Sequence, residues 1–110
     1  KTLVAQGASR EYFVFVIPIE AELDLKKAAR AVGEKSVSMI HVKEINSVTG
    51  YVRGGCTAVG MKKQYRTVID ESAESLPSMI VSGGRIGSQI ELAPQDLAEA
   101  SRAQFVDVLA

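Results

Sequence analysis

The sequence predicts an α+β domain. Short β-branched and aromatic runs recur along the whole chain, and helical patterns fall between them at irregular intervals, not after every strand. The size fits one such unit: 110 residues, 46% hydrophobic and 24% charged, describe a single folded domain.

The elements follow in order. Residues 2–6 and 12–17 are apolar runs split by Gly7-Ala8-Ser9-Arg10, a hairpin signal whose loop exceeds the two-residue minimum. Pro18 ends the second run, because it cannot donate to a central ladder. Asp24 reads as an N-cap. Leu25, Ala28, Ala29 and Val32 then fall on one helical face, and Gly33 closes the helix. Residues 36–40 predict a short strand. Val42, Ile45 and Val48 or Thr49 mark a second, shorter helix ending at Gly50. Residues 66–69 read as a strand and 70–76 as one or two helical turns. Residues 79–82 and 88–92 predict strands separated by Gly83-Gly84-Arg85-Ile86-Gly87. Pro94 suits the first turn of a helix running to about Ser101. Phe105, Val106 and Val108 suggest a final strand. There is no linker, low-complexity segment or internal repeat.

Thirteen basic and thirteen acidic residues cancel, so nothing pulls the whole molecule towards nucleic acid or membrane; a polyanion would need a local patch. With no Trp and 5% aromatic residues, an extended base-stacking platform is disfavoured. A single Cys excludes an internal disulfide and fits a reducing compartment. One Cys and one His show no metal-ligand spacing. The apolar runs are too short to span a bilayer as a helix, and no signal peptide is visible. The chain opens at Lys1 directly into an apolar run, which suggests a further segment upstream.

Seven of the nine glycines form two clusters: Gly50, Gly54, Gly55 and Gly60, then Gly83, Gly84 and Gly87. They fit either turns and bulges of a curved sheet or two loops whose backbone N–H groups wall a pocket. Arg53, Lys62, Lys63 and Arg66 carry four positive charges with no acid between them. They read as a solvated loop balanced by Asp70, Glu71 and Glu74, or as a phosphate-binding patch. His41, at the end of a predicted strand, reads first as a capping residue. Cys56 lacks a sequence-linked base and is a weak nucleophile candidate. The acids Asp70-Glu71 and Glu20/Glu22 read as solvated charges. The inventory holds no standard nucleophile, triad or metal site.

Six motifs in order carry more. They are Lys1-Thr2-Leu3-Val4, Val16-Ile17-Pro18, Glu22-Leu23-Asp24-Leu25-Lys26-Lys27, Thr49-Gly50-Tyr51-Val52-Arg53-Gly54-Gly55, Ile69-Asp70-Glu71-Ser72 with Ser82-Gly83-Gly84, and Ile90-Glu91-Leu92-Ala93-Pro94-Gln95-Asp96-Leu97. With these the chain resembles the YbaK/EbsC family, the YbaK/prolyl-tRNA synthetase-associated domains whose best-known members are Cys-tRNA(Pro) deacylases. The resemblance implies a curved, mostly antiparallel, β-barrel-like sheet with flanking helices, in a family whose members extend further upstream of the Lys-Thr motif. It implies a cytoplasmic editing enzyme needing no cofactor or metal. Its partner would be the acceptor end of a mischarged tRNA, presented with help from prolyl-tRNA synthetase. Lys1 would be the catalytic side chain. Thr2, Gly54, Gly55, Cys56, Thr57, Ser82, Gly83 and Gly84 would line the substrate pocket, and Arg53, Lys62 and Lys63 would meet the tRNA. Such an enzyme needs no nucleophile, because a cysteinyl ester is cleaved by its own thiol. Two positions depart from the family pattern: Ala58 stands where a Pro is common, and Gln89 where some members carry Asp. The other reading of the same pocket is a non-catalytic module that binds aminoacyl-tRNA or nucleotides.

Overall fold

The computed structural model describes residues 1–40, 65–82 and 89–110. The helix expected around 42–50 lies outside them, as do His41 and both glycine clusters.

Strands β1 (Thr2–Gly7) and β2 (Tyr12–Val16) form the expected hairpin, in the register Thr2↔Val16 to Gln6↔Tyr12. Its turn is held by Gly7 N donating to Glu11 O and Arg10 N donating to Gly7 O. Helix α1 (Leu25–Val32) starts where an acceptor is available: Asp24 accepts from the backbone N–H groups of Lys26 and Lys27. It stops at Gly33, whose φ of 72° returns its N–H to the last carbonyls of the helix. Strand β3 (Val37–Met39) then pairs antiparallel with β1. Strand β4 (Arg66–Asp70) runs into a short 3-10 turn, Glu71–Ala73. Strands β5 (Met79–Ser82) and β6 (Gln89–Leu92) pair with each other as a separate two-stranded ribbon. Helix α2 (Pro94–Ser101) opens on proline, and β7 (Gln104–Val106) follows.

The five-stranded sheet has the order β3-β1-β2-β4-β7. Its β2–β4 and β4–β7 pairings are parallel. The architecture is therefore mixed α+β. This corrects the mostly antiparallel expectation for the main sheet, and among the described residues the strands close no barrel. The reason is topological. β2 reaches β4, and β4 reaches β7, through long connections, which allow parallel pairing where a tight turn would not.

Alternation along the strands buries both faces. Val4, Val14, Val16 and Ile69 pack with Ala73, Val81 and Leu97 on one side. Ala5, Phe13, Phe15, Ile17 and Val68 pack with Ala28, Ala29 and Val32 of α1 on the other. Residues 22–24 and 108–110 lace together: Asp24 N donates to Val108 O, and Ala110 N to Glu22 O. No helix among the described residues is long and apolar enough to cross a membrane.

Candidate active site

Lys1 continues the hairpin ladder by one rung. Its backbone N donates to Ile17 O at 2.6 Å, and Ile17 N returns a bond to Lys1 O at 2.9 Å. Doubly bonded, the rung fixes the Cα of Lys1 while its side chain stays exposed. Among the described residues the Lys1 side chain makes no ion pair.

Lys1 borders a cavity of about 390 Å³. Val16, Ile17 and Pro18 form one wall at the end of β2. Ala73 and Leu76, after β4, and Met79, Ile80 and Val81 of β5 also line the cavity. The polar groups are Glu20, Asp70, Ser72, Ser78 and Glu91. An apolar recess bordered by one ammonium, three carboxylates and two hydroxyls suits a ligand with a small apolar part and a polar end.

Asp70 is not the solvated charge expected from the sequence. It is 2% exposed, and its carboxylate is fully engaged. Oδ2 accepts from Ser72 N and Oδ1 from Val108 N, each at 3.0 Å. Burial is the largest influence on this carboxyl and pushes its pKa up. The Ser72 hydroxyl, the N–H groups of Val108 and Ser72, and the charge of Lys27 outweigh it, so the group sits below its ordinary value. Asp70 thus helps to build the cavity wall, with each carboxylate oxygen held by a backbone N–H. Glu20, Glu22 and Glu71 are exposed, as expected.

Of the other expected site residues, Thr2 lies half-buried on β1 opposite Val16, and Ser82 is the last residue of β5, following the cavity residue Val81. Lys1, Thr2 and the end of β5 are thus gathered around one corner of the fold. Gly54, Gly55, Cys56, Thr57, Gly83 and Gly84, and the basic residues Arg53, Lys62 and Lys63, lie outside the described residues.

The sequence gives no hint of the pair Ser78–Glu91. Ser78 Oγ donates to Glu91 Oε2 at 2.8 Å, fixing a carboxylate on the cavity border. The two residues are brought together by the β5–β6 register, which residue spacing alone does not reveal.

Comparisons with known proteins place the chain in a family. The family model for the aminoacyl-tRNA editing domain matches residues 1–100. Over 108 residues the chain is 47% identical to a protein of Enterococcus faecalis named "Putative Cys-tRNA(Pro)/Cys-tRNA(Cys) deacylase EbsC". That alignment takes in 98% of this chain and 66% of the relative, so the chain spans just under two thirds of the relative's length. A solved structure described as "a putative trans-editing enzyme for prolyl tRNA synthetase" superposes with a TM-score of 0.91 at 27% identity, over all of this chain and 69% of its own. A second, of a hypothetical protein, superposes at 0.92 with 27% identity, over all of this chain and 73% of its own. On the strength of the match across residues 1–100, the chain belongs to the aminoacyl-tRNA editing domain family.

Proposed function

We propose that this domain is a trans-editing aminoacyl-tRNA deacylase that removes cysteine from mischarged tRNA(Pro). The observation that carries the reading is Lys1. In a chain of this family it is an exposed ammonium, anchored through its backbone at the border of an apolar cavity and making no ion pair among the described residues. An ammonium there attracts the phosphate or ribose of the tRNA terminus and fixes the ester's pose. In this reading Thr2 and Ser82 flank the bound ester. Backbone N–H groups of Gly54-Gly55 and Gly83-Gly84 face its carbonyl oxygen, and Cys56 and Thr57 border the amino-acid side chain. Arg53, Lys62 and Lys63 contact the tRNA backbone.

The chemistry then belongs to the substrate. The cysteinyl thiolate attacks its own ester carbonyl, a C–S bond forms and the ester C–O bond breaks. The thiol's proton passes to the departing ribose oxygen. The products are a cyclic thiolactone and free tRNA. The domain contributes positioning and charge stabilisation, which suffices when nucleophile and electrophile are held in one molecule. Because the net charge is zero, prolyl-tRNA synthetase raises the local tRNA concentration in this reading. The compartment is the cytoplasm, where the tRNA is charged.

The test is a panel of Cys-, Ala- and Pro-tRNA(Pro) and Cys-tRNA(Cys), followed for loss of the ester. Selective loss of the cysteinyl esters is expected. Lys1→Ala is expected to slow it by about 10²-fold or more, the scale of losing one preorganised charge contact. Binding of all four without turnover would identify a capture module instead.

A further inference from the structure

We propose that a cleft at the far end of the β1–β2 hairpin binds the acceptor strand of the tRNA, several nucleotides away from the esterified one; the inference rests on the editing function above. The cleft is a cavity of about 480 Å³ lined by Arg10, Glu11, Tyr12, Phe13, Tyr65 and Arg66, with Val32 of α1 behind them. Composition argued against an aromatic platform, yet the fold brings two of the three tyrosines together. The rings of Tyr12 and Tyr65 meet edge to face, with centroids 5.8 Å apart and planes at 71°.

The fold orients the guanidinium of Arg66 and holds the backbone of Arg10. Arg66 is exposed, and its Nη1 donates to Val32 O at 3.2 Å, which orients the fork; among the described residues its other N–H groups meet no acceptor and can face a ligand. Arg10 has φ 73°, a left-handed conformation that Gly or Asn would adopt at lower cost. That conformation is locked from both sides: Arg10 N donates to Gly7 O, and Gln6 Nε2 to Arg10 O. An arginine kept where a smaller residue would fold better points to a use for its charge. Two forks beside aromatic rings suit phosphate together with a stacked base. Among the described residues Glu11 is the one acid lining the cleft, against two arginines.

The spacing fits one strand reaching both sites. From the Lys1–Ile17 rung to the Gln6↔Tyr12 pair the ladder climbs five residues. At ~3.4 Å per residue that is ~17 Å, several nucleotides of a stacked strand.

The experiment compares two substrates in the complete protein: Cys-tRNA(Pro) and cysteine esterified to adenosine alone. Arg66→Ala and Arg10→Asn are each expected to lower kcat/KM for the tRNA about tenfold and to flatten its salt dependence by about one unit of log–log slope per arginine. Neither should change cleavage of the adenosine ester. Arg10→Asn should hold or raise Tm, since Asn accepts the left-handed backbone. Equal losses on both substrates, or a fall in Tm that accounts for the loss, would overturn the proposal, and so would an unchanged tRNA rate. Affinity for uncharged tRNA(Pro), measured alongside, tests the cleft even if neither ester is cleaved, the outcome that would count against the editing function itself.

Discussion

The carboxylate of Asp70 accepts a buried hydrogen bond from Val108 N, 38 residues away, at 3.0 Å. One side chain thereby joins the end of β4 to the segment after β7 while capping the turn at Ser72. Asp70→Ala would strand two N–H groups beside the cavity. We expect a loss of about 2 kcal/mol in urea unfolding, the usual cost of leaving one buried donor, Val108 N, unpaired and losing the cap at Ser72.

Acid should weaken the fold through the same residue. Asp70 and Asp24 both titrate below the ordinary carboxylate value of about 3.9. For Asp24 the main cause is the Lys27 N–H it accepts from at the start of α1; for Asp70, burial acts upward but is outweighed by its hydrogen bonds. A folded pKa below the unfolded one contributes stability that is complete above the unfolded value and is lost as pH falls through the folded one. Stability should therefore be flat in this respect above about pH 5 and fall below about pH 4. Tm against pH checks this, and Asp70→Asn should show a shallower acid limb.

Two glycines should fail for different reasons. At Gly33 an added Cβ meets nothing, but φ is 72°, so Gly33→Ala should cost about 1 kcal/mol from backbone conformation alone. At Gly7 the backbone is ordinary, and an added Cβ would run into the Glu34 side chain. Glu34 receives both Ser9 N and Ser9 Oγ at 3.0 Å, so Gly7→Ala should free the turn from the end of α1. Faster amide exchange at Ser9 in Gly7→Ala, and not in Gly33→Ala, would separate the two.

Filling the cavity should block the substrate without unfolding the domain. Ala73 is nearly buried and lines the recess. Ala73→Leu adds volume where space exists, so its cost should stay below about 2 kcal/mol. Cleavage of the cysteinyl ester should fall at least tenfold, with Tm little changed.

Local structure was legible in the sequence wherever a residue's own chemistry decides it. The hairpin around Gly7–Arg10, the Asp24 cap, the stop at Gly33 and the start at Pro94 all depend on neighbours a few residues away. Pairing was not legible: a period of two marks Val14 and Val68 as strand residues, but nothing in it says that β2 and β4 lie side by side in parallel. Asp70 was misread for a related reason. Its partner Val108 is remote, and an Asp before Glu71 and Ser72 carries the same local signal whether solvated or buried. Motif order named Lys1 and Ser82 as candidates, and the fold places Lys1 and the strand that ends at Ser82 beside one cavity. The Ser78–Glu91 bond and the tyrosine pair required the register.

The lacing of residues 108–110 onto 22–24 has a consequence for synthesis. β2 closes against β1 soon after both are made, but its other neighbour, β4, arrives some fifty residues later and β7 later still. Until residues 104–110 emerge from the ribosome, the outer edge of β4 lacks β7, and Asp70 Oδ1 and the carbonyl of Glu22 lack their donors. Pairings this distant are slow to form. A nascent chain halted short of Gln104 should therefore present an open strand edge, which chaperones would recognise and proteases would cut.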